Sequence, residues 1–193
     1  MKKWTFKEIG VTLGFGLICT LFVEAVMMCG WFSPLPWIWM PPLAGLVTAI
    51  PYMYIVGREQ RVGAIILMNL VALLLFGVAG EMNLITFIGI AGSTICAELI
   101  RRICGYDTAH GNLISFVFYA FTMSGKTLYI WADTEFTIAE AVEEMPAGYA
   151  DKILQFTPGW VMMVMLFATV IFALLGGCIG KSVLKKQYAG MKP

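Results

Sequence analysis

Six long runs of apolar residues follow one another along the chain, separated by short polar or proline-containing breaks. Each run is long enough for an α-helix to cross the hydrocarbon core of a bilayer, which needs about 20 apolar residues. The pattern therefore predicts an all-α, polytopic membrane protein: a single transmembrane domain over residues 1–193, built as a six-helix bundle. The predicted spans are about 8–29, 37–56, 62–80, 84–104, 111–132 and 157–182.

Only one connection between the spans is long, and it runs from about residue 133 to residue 156. Thr137 is followed three residues later by Glu140, which is the spacing of a helical capping box, and Pro146 interrupts the segment. We therefore expect a short amphipathic helical segment in the outer loop between the fifth and sixth helices.

The distribution of Lys and Arg predicts the orientation, because cytoplasmic loops of membrane proteins retain positive charge. With the N-terminus inside, 11 of the 13 basic residues fall on the cytoplasmic side, and only Lys126 and Lys152 fall outside. The 11 are Lys2, Lys3, Lys7, Arg58, Arg61, Arg101, Arg102, Lys181, Lys185, Lys186 and Lys192. The expectation is a multi-pass protein of the cell membrane with both termini in the cytoplasm.

The amino-acid composition and the motifs exclude several classes of function. Hydrophobic residues make up 60% of the 193 residues and charged residues 13%, which is too apolar for a soluble domain, so lipid is an expected partner. The net charge of +1 argues against nucleic acid. The sequence carries no H-E-x-x-H, G-x-S-x-G or phosphate-loop motif, so we expect a transport subunit that is not an enzyme. With one histidine and scattered cysteines, neither a cofactor nor a metal site is expected.

Polar residues recur along the fifth span at alternating steps of three and four, which places them on one face of the helix. Polar groups within a membrane face the bundle interior or a wet cavity. The stripe consists of Asn112, Ser115, Tyr119, Thr122, Lys126, Tyr129 and Asp133. Hydrogen bonds between helices explain its cytoplasmic end. For Thr122, Lys126 and Tyr129 a structural role and contact with a ligand are equally open.

Glu24 is the other polar anomaly, because it lies in an otherwise apolar part of the first span. An ionised carboxylate there needs a partner, and Lys126 at similar depth is the candidate. The pair is either structural or contacts a polar or zwitterionic ligand. Tryptophans near the outer surface, Trp31 and Trp160 among them, are typical of an interfacial aromatic belt, although Trp31 also suits a lid over an outward-facing pocket.

Small residues spaced four apart occur in three spans and let helices approach closely. In the fourth span (Gly89, Ser93, Ala97) and the sixth (Ala173, Gly176, Gly177, Gly180), packing within the bundle is the preferred interpretation. For Gly10 and Gly14 in the first span, a surface for another membrane protein is the alternative.

The arrangement resembles the substrate-binding (S) components of energy-coupling factor (ECF) transporters, and more narrowly the bacterial integral membrane family called Trep_Strep. The resemblance runs along nearly the whole chain. It is closest in the basic N-terminus, in the fourth-span run from Gly89 to Arg101, and in the final third from Tyr149 to Lys181. It implies a bundle that binds a small molecule near its outer face and docks on a transmembrane coupling subunit driven by two ATPases.

Together the polar pattern and the resemblance predict a ligand site for a vitamin-like compound or other micronutrient. Its candidate residues are Glu24, Trp31, Glu81, Asn83, Thr122, Lys126, Tyr129 and Trp160. Gly10 and Gly14 stand where the family carries an Ala-x-x-x-Ala docking pattern, and they are the predicted partner-docking residues. The alternative is a membrane scaffold or regulatory subunit without a small-molecule ligand.

Overall fold

The computed structural model describes residues 3–192, which form helices and connecting turns without any strand. Lys2, one of the lysines that predicted the orientation, lies outside the described residues. The helices are α1 Phe6–Cys29, α2 Pro34–Ile38, α3 Met40–Val47, α4 Ala49–Arg58, α5 Ala64–Val78, α6 Leu84–Cys104, α7 Ala109–Ala120, α8 Ser124–Ala132, α9 Thr134–Glu144, α10 Tyr149–Leu154, α11 Gly159–Val183 and α12 Lys185–Tyr188.

Four helical segments are long and apolar enough to cross a membrane: α1, α6, the α7–α8 segment and α11. The bent pair α3 and α4 makes a fifth if it is counted as one span. The remaining apolar helix, α5, has only 15 residues. An all-helical membrane protein with four to five candidate spans is therefore observed, and the sixth crossing stays a prediction.

The second predicted span is broken, and its prolines give the reason. α3 and α4 meet at an angle of 53°. Pro51 lies in the first turn of α4 and has no backbone N–H to continue the hydrogen-bond ladder of α3. The hydroxyl of Thr48 at the break donates to the Ala44 carbonyl at 2.7 Å.

The fifth predicted span is also interrupted, by a 3₁₀ turn at Phe121–Met123 between α7 and α8. Two hydroxyls bond to backbone carbonyls there. Thr122 donates to Tyr119 at 2.5 Å, and Ser124 donates to Phe121 at 2.6 Å. Local side-chain hydrogen bonds of this kind compete with the regular helical pattern.

Glycines allow the close helix contacts of the bundle. A side chain at Gly176 of α11 would overlap the Gly45 carbonyl of α3, and one at Gly89 of α6 would lie 3.0 Å from the backbone nitrogen of Gly125 in α8. A side chain at Gly16 of α1 would lie 2.6 Å from the Met68 carbonyl of α5. The packing predicted for the small residues of the fourth and sixth spans is confirmed.

Two helices, α9 and α10, lie between α8 and α11, and we call residues 134–154 the lid. The predicted capping position was wrong, because Asp133 rather than Thr137 caps α9, its carboxylate accepting from the Phe136 N–H at 3.0 Å. Pro146 and Gly148, the latter with φ of 80°, separate the two helices. The lid is held by buried apolar contacts with α2 and α8 that involve Ile38, Ile130, Ala141, Tyr149 and Ile153.

Candidate functional site

A cavity of about 730 Å³ lies between the lid, the C-terminal end of α1 and the connection from α5 to α6. Its volume is within the usual range of small-molecule sites, roughly 300–1,000 Å³. Three kinds of side chain line it. They are the aromatic residues Trp31, Trp37, Tyr129, Phe136 and Tyr149, the methionines Met27, Met28, Met82 and Met145, and the charged residues Glu24, Glu81, Glu140, Glu144 and Lys126.

Six of the eight residues predicted from the sequence line this cavity: Glu24, Trp31, Glu81, Asn83, Lys126 and Tyr129. The other two do not. Thr122 borders a much smaller cavity and accepts a hydrogen bond from Asn69 at 3.4 Å, a contact that fits the structural alternative. Trp160, at the start of α11, is 68% exposed and does not line the cavity.

Lys126 is the buried cation of the site, with only 7% of its side chain exposed. Its ammonium donates to Glu81 Oε2 at 2.6 Å and lies 3.5 Å from the sulfur of Met27. It also lies 4.6 Å from the centre of the Phe76 ring. The direct ion pair of Lys126 is with Glu81 and not with Glu24, the partner that the sequence suggested. Glu24 lines the same cavity and is half-buried.

The end of α5 explains why Glu81 reaches Lys126. Gly80 has φ of 76°, and the Glu81 N–H donates to the Phe76 carbonyl at 3.0 Å. A left-handed glycine followed by this bond is the Schellman ending of a helix. It turns the chain back over Phe76 and brings the carboxylate of Glu81 to the ammonium. Asn83 then caps α6, its side chain accepting from the Thr86 N–H at 2.8 Å.

The sequence interpretation missed the lid side of the cavity, which Phe136, Glu140 and Glu144 line with side chains that also remain exposed to solvent. Acidic residues in an outer loop were interpreted as a solvated surface. The signal was their spacing, since residues four apart lie on one face of a helix. Glu135 and Glu143, on the same helix, do not line the cavity.

The carboxylates of the cavity lie close enough to influence one another. Partial burial raises the pKa of Glu140, the negative charges of Glu144 and Glu81 raise it further, and Lys126 opposes them. Among residues 3–192, no group of three His, Cys, Asp or Glu side chains has an arrangement that could hold a metal ion.

The half of the polar stripe that lies on α7 has a different environment. Asn112 and Ser115 are fully buried. Asn112 Oδ1 accepts from Arg101 Nε at 3.1 Å, and Ser115 shares a hydrogen bond of 2.8 Å with the Tyr52 hydroxyl. Arg101 is itself fully buried, and its Nη2 donates to the carbonyls of Val56 at 3.0 Å and Glu59 at 2.9 Å.

The predicted docking residues lie on the outside of the bundle. Gly10 and Gly14 are exposed on α1, and a side chain added at either position would meet no atom within 4 Å. In this they differ from Gly16 on the same helix, which packs against α5.

Comparison with known families places the chain among membrane proteins. The sequence model of the Trep_Strep family, described as hypothetical bacterial integral membrane proteins, matches residues 7–189. The chain belongs to this family. No curated protein and no solved structure matches this Trep_Strep protein. The family match supports the predicted integral membrane location.

Proposed function

We propose that this Trep_Strep protein is the substrate-binding (S) component of an ECF-type importer. It captures a small molecule, a vitamin-like compound or other micronutrient, in the cavity beneath the lid. The observation that carries the proposal is the cavity itself. A space of about 730 Å³, covered by two helices and containing the buried Lys126, has the size and mixed lining of a ligand site.

The proposed topology has six crossings and places both termini in the cytoplasm. It counts the bent pair α3–α4 and the helix α5 as spans alongside the four long helical segments. At 1.5 Å per residue, the 15 residues of α5 rise about 22 Å, so this helix needs its flanking residues to cross. In this orientation the cavity opens toward the outside and the basic residues lie inside.

Docking on a coupling subunit is proposed for the outer surface of α1. Gly10 and Gly14 leave a shallow exposed strip on the cytoplasmic half of this helix, with Leu17 and Ile18 exposed beyond it. Small residues allow another helix to approach closely. Since the sequence has no phosphate-binding loop, import energy comes from ATPase subunits on that partner, and the chain itself is not an enzyme.

An affinity pull-down tests this function. The tagged protein is purified from its native membrane in mild detergent, and mass spectrometry identifies co-purifying proteins and retained small molecules. We expect a transmembrane coupling protein, two ATPases and a retained compound. Recovery of unrelated membrane proteins without any small molecule would replace the importer with the membrane scaffold or regulatory subunit.

A further inference from the structure

The cavity has an imbalance of charge. Four carboxylates line it, from α1 (Glu24), the α5–α6 connection (Glu81) and the lid (Glu140 and Glu144). Lys126 is the only basic residue among the described lining residues, and it is already bonded to Glu81 at 2.6 Å. The other three carboxylates form no ion pair with a described residue of the cavity wall, which carries four carboxylates against one cation. In a site partly shielded from water, such an excess attracts positive charge more strongly than on an open surface.

The remaining walls suit a cation with an apolar body. Trp31, Trp37, Tyr129, Phe136 and Tyr149 all contribute rings to the lining. Aromatic faces attract ammonium and guanidinium groups, and the attraction increases when the cation loses water. Tyr129 and Phe136 pack edge to face, with ring centres 5.5 Å apart, one on α8 and the other on the lid. The methionines add polarizable apolar surface around these rings.

From the carboxylates, the rings and the volume of this cavity, we infer that its ligand is an organic cation, an amine or quaternary ammonium compound with an aromatic or other apolar body. The inference rests on the proposed capture of a small molecule and adds its charge class. The cationic group lies between Glu140, Glu144 and Glu24, and the apolar body fills the space between the rings.

Lys126 has a counter-intuitive role in this arrangement. It neutralises Glu81 and holds the end of α5 against α8, and it does not contact the charged group of the ligand. A ligand carrying a carboxylate or phosphate would instead use Lys126 as its main anchor. Replacing this lysine therefore separates the two classes of ligand.

The first test is calorimetric titration of the purified protein in a non-ionic detergent with three compounds that share an indole body. Tryptamine is cationic, tryptophol is neutral and indole-3-acetate is anionic. We expect tryptamine to bind at least roughly tenfold more tightly than tryptophol, as a charge-assisted contact predicts, and indole-3-acetate to bind most weakly. Equal affinity for tryptophol, tighter binding of indole-3-acetate, or no binding of any of the three overturns the inference.

Substitutions in the lid test which carboxylates are responsible for tryptamine binding. Glu140→Gln and Glu144→Gln are each expected to weaken tryptamine binding about tenfold. Glu135→Gln and Glu143→Gln remove the same charge from the same helix outside the cavity lining, and they are expected to leave the affinity unchanged. Equal effects of all four substitutions would mean a general surface field, and the assigned site would then be wrong.

Lys126→Met completes the set. The folded variant is expected to keep the preference for tryptamine over tryptophol and indole-3-acetate even if all affinities fall, because the lysine does not contact the charged group. Loss or reversal of that preference overturns the inference. The pull-down distinguishes a failure of the importer proposal from a failure of the cationic-ligand inference. Co-purified ATPases together with a neutral or anionic ligand would support the importer proposal and contradict the inference of a cationic ligand. Selective tryptamine binding without co-purified ATPases would support the cation site and contradict the importer proposal.

Discussion

The two ends of the α7–α8 segment carry the same kind of polar stripe and have opposite surroundings. At the α7 end, Asn112 and Ser115 are fully buried, and neighbouring helices supply their hydrogen-bond partners. At the α8 end, Lys126 and Tyr129 border a cavity of about 730 Å³. One end of the stripe therefore holds the bundle together, and the other borders open space.

The difference arises from the neighbouring elements. At the α7 end, α4 and α6 pack directly on α7, and Arg101 fills the space with donors that match the nearby carbonyls of Val56 and Glu59. At the α8 end, Lys126 and Tyr129 instead border the cavity, which lies between the lid, the end of α1 and the α5–α6 connection.

The largest effect is expected at the packed end. Arg101→Leu removes three hydrogen bonds and leaves the acceptors of Asn112 and Val56 buried without partners, while the Glu59 carbonyl keeps its bond from the Arg61 N–H at 2.8 Å. Stranded buried acceptors cost about 1–3 kcal/mol each, so we expect a loss of stability of about 2 kcal/mol or more and a melting temperature lower by roughly 5 °C or more. Thermal unfolding in detergent measures this.

The matched control is Arg102→Leu, which changes the exposed neighbour on the same helix and is expected to leave the melting temperature nearly unchanged. Similar melting temperatures for both variants would mean that the hydrogen bonds of Arg101 do not stabilise the bundle around α7. The comparison between a packed and an open end would then fail.

The next effect concerns the exposed surface of α1 around Gly10 and Gly14. Gly10→Leu and Gly14→Leu place a large side chain on the exposed strip of α1, where it meets nothing within the chain. We expect a folded protein with unchanged tryptamine affinity and at least roughly tenfold less coupling subunit in the pull-down, because helix interfaces of this kind need small residues. Gly92→Leu, also in open space but on α6, is the control. Full recovery of the coupling subunit with both α1 variants would exclude this strip as the docking surface.

A smaller effect is expected on the pH dependence of tryptamine affinity, which tests the cavity at the α8 end of the segment. The pKa of Glu140 is raised, first by burial and then by Glu144 and Glu81, while Lys126 opposes the shift. Glu24 on α1 is the remaining charged group of the cavity. As pH falls through this raised pKa, Glu140 gains a proton, and a cation then binds only by displacing it. Tryptamine, which keeps its charge, is expected to bind severalfold more weakly at about pH 5 than at about pH 8.

Glu140→Gln is the variant that isolates this titration, and its tryptamine affinity is expected to change less with pH. An affinity of the original protein that stays constant over this range would remove Glu140 from the site. A change of equal size in both proteins would assign the titration to another carboxylate of the cavity.

The helices were largely predictable from the sequence, and the contacts of the site were less so. The fourth predicted span, 84–104, agrees with α6, because apolar length and the Asn83 cap are local signals. The 3₁₀ turn at Phe121–Met123 has no comparable signal, because it depends on hydroxyl contacts and packing. The pairing of Lys126 with Glu81 depends on the Schellman ending of α5, which apolar periodicity does not reveal.

The smallest predicted effect concerns the attachment of the lid. The Tyr149 hydroxyl donates to the Gly30 carbonyl at 2.5 Å, which joins α10 to the end of α1 across one side of the cavity. Tyr149→Phe keeps the ring and removes this bond, worth about 1 kcal/mol, so bound tryptamine is expected to dissociate roughly fivefold faster. Stopped-flow fluorescence measures the rate, with Tyr54→Phe on α4, which does not line the cavity, as the control. An unchanged rate in both variants would mean that this bond does not retain the ligand and that the apolar contacts of the lid hold it closed.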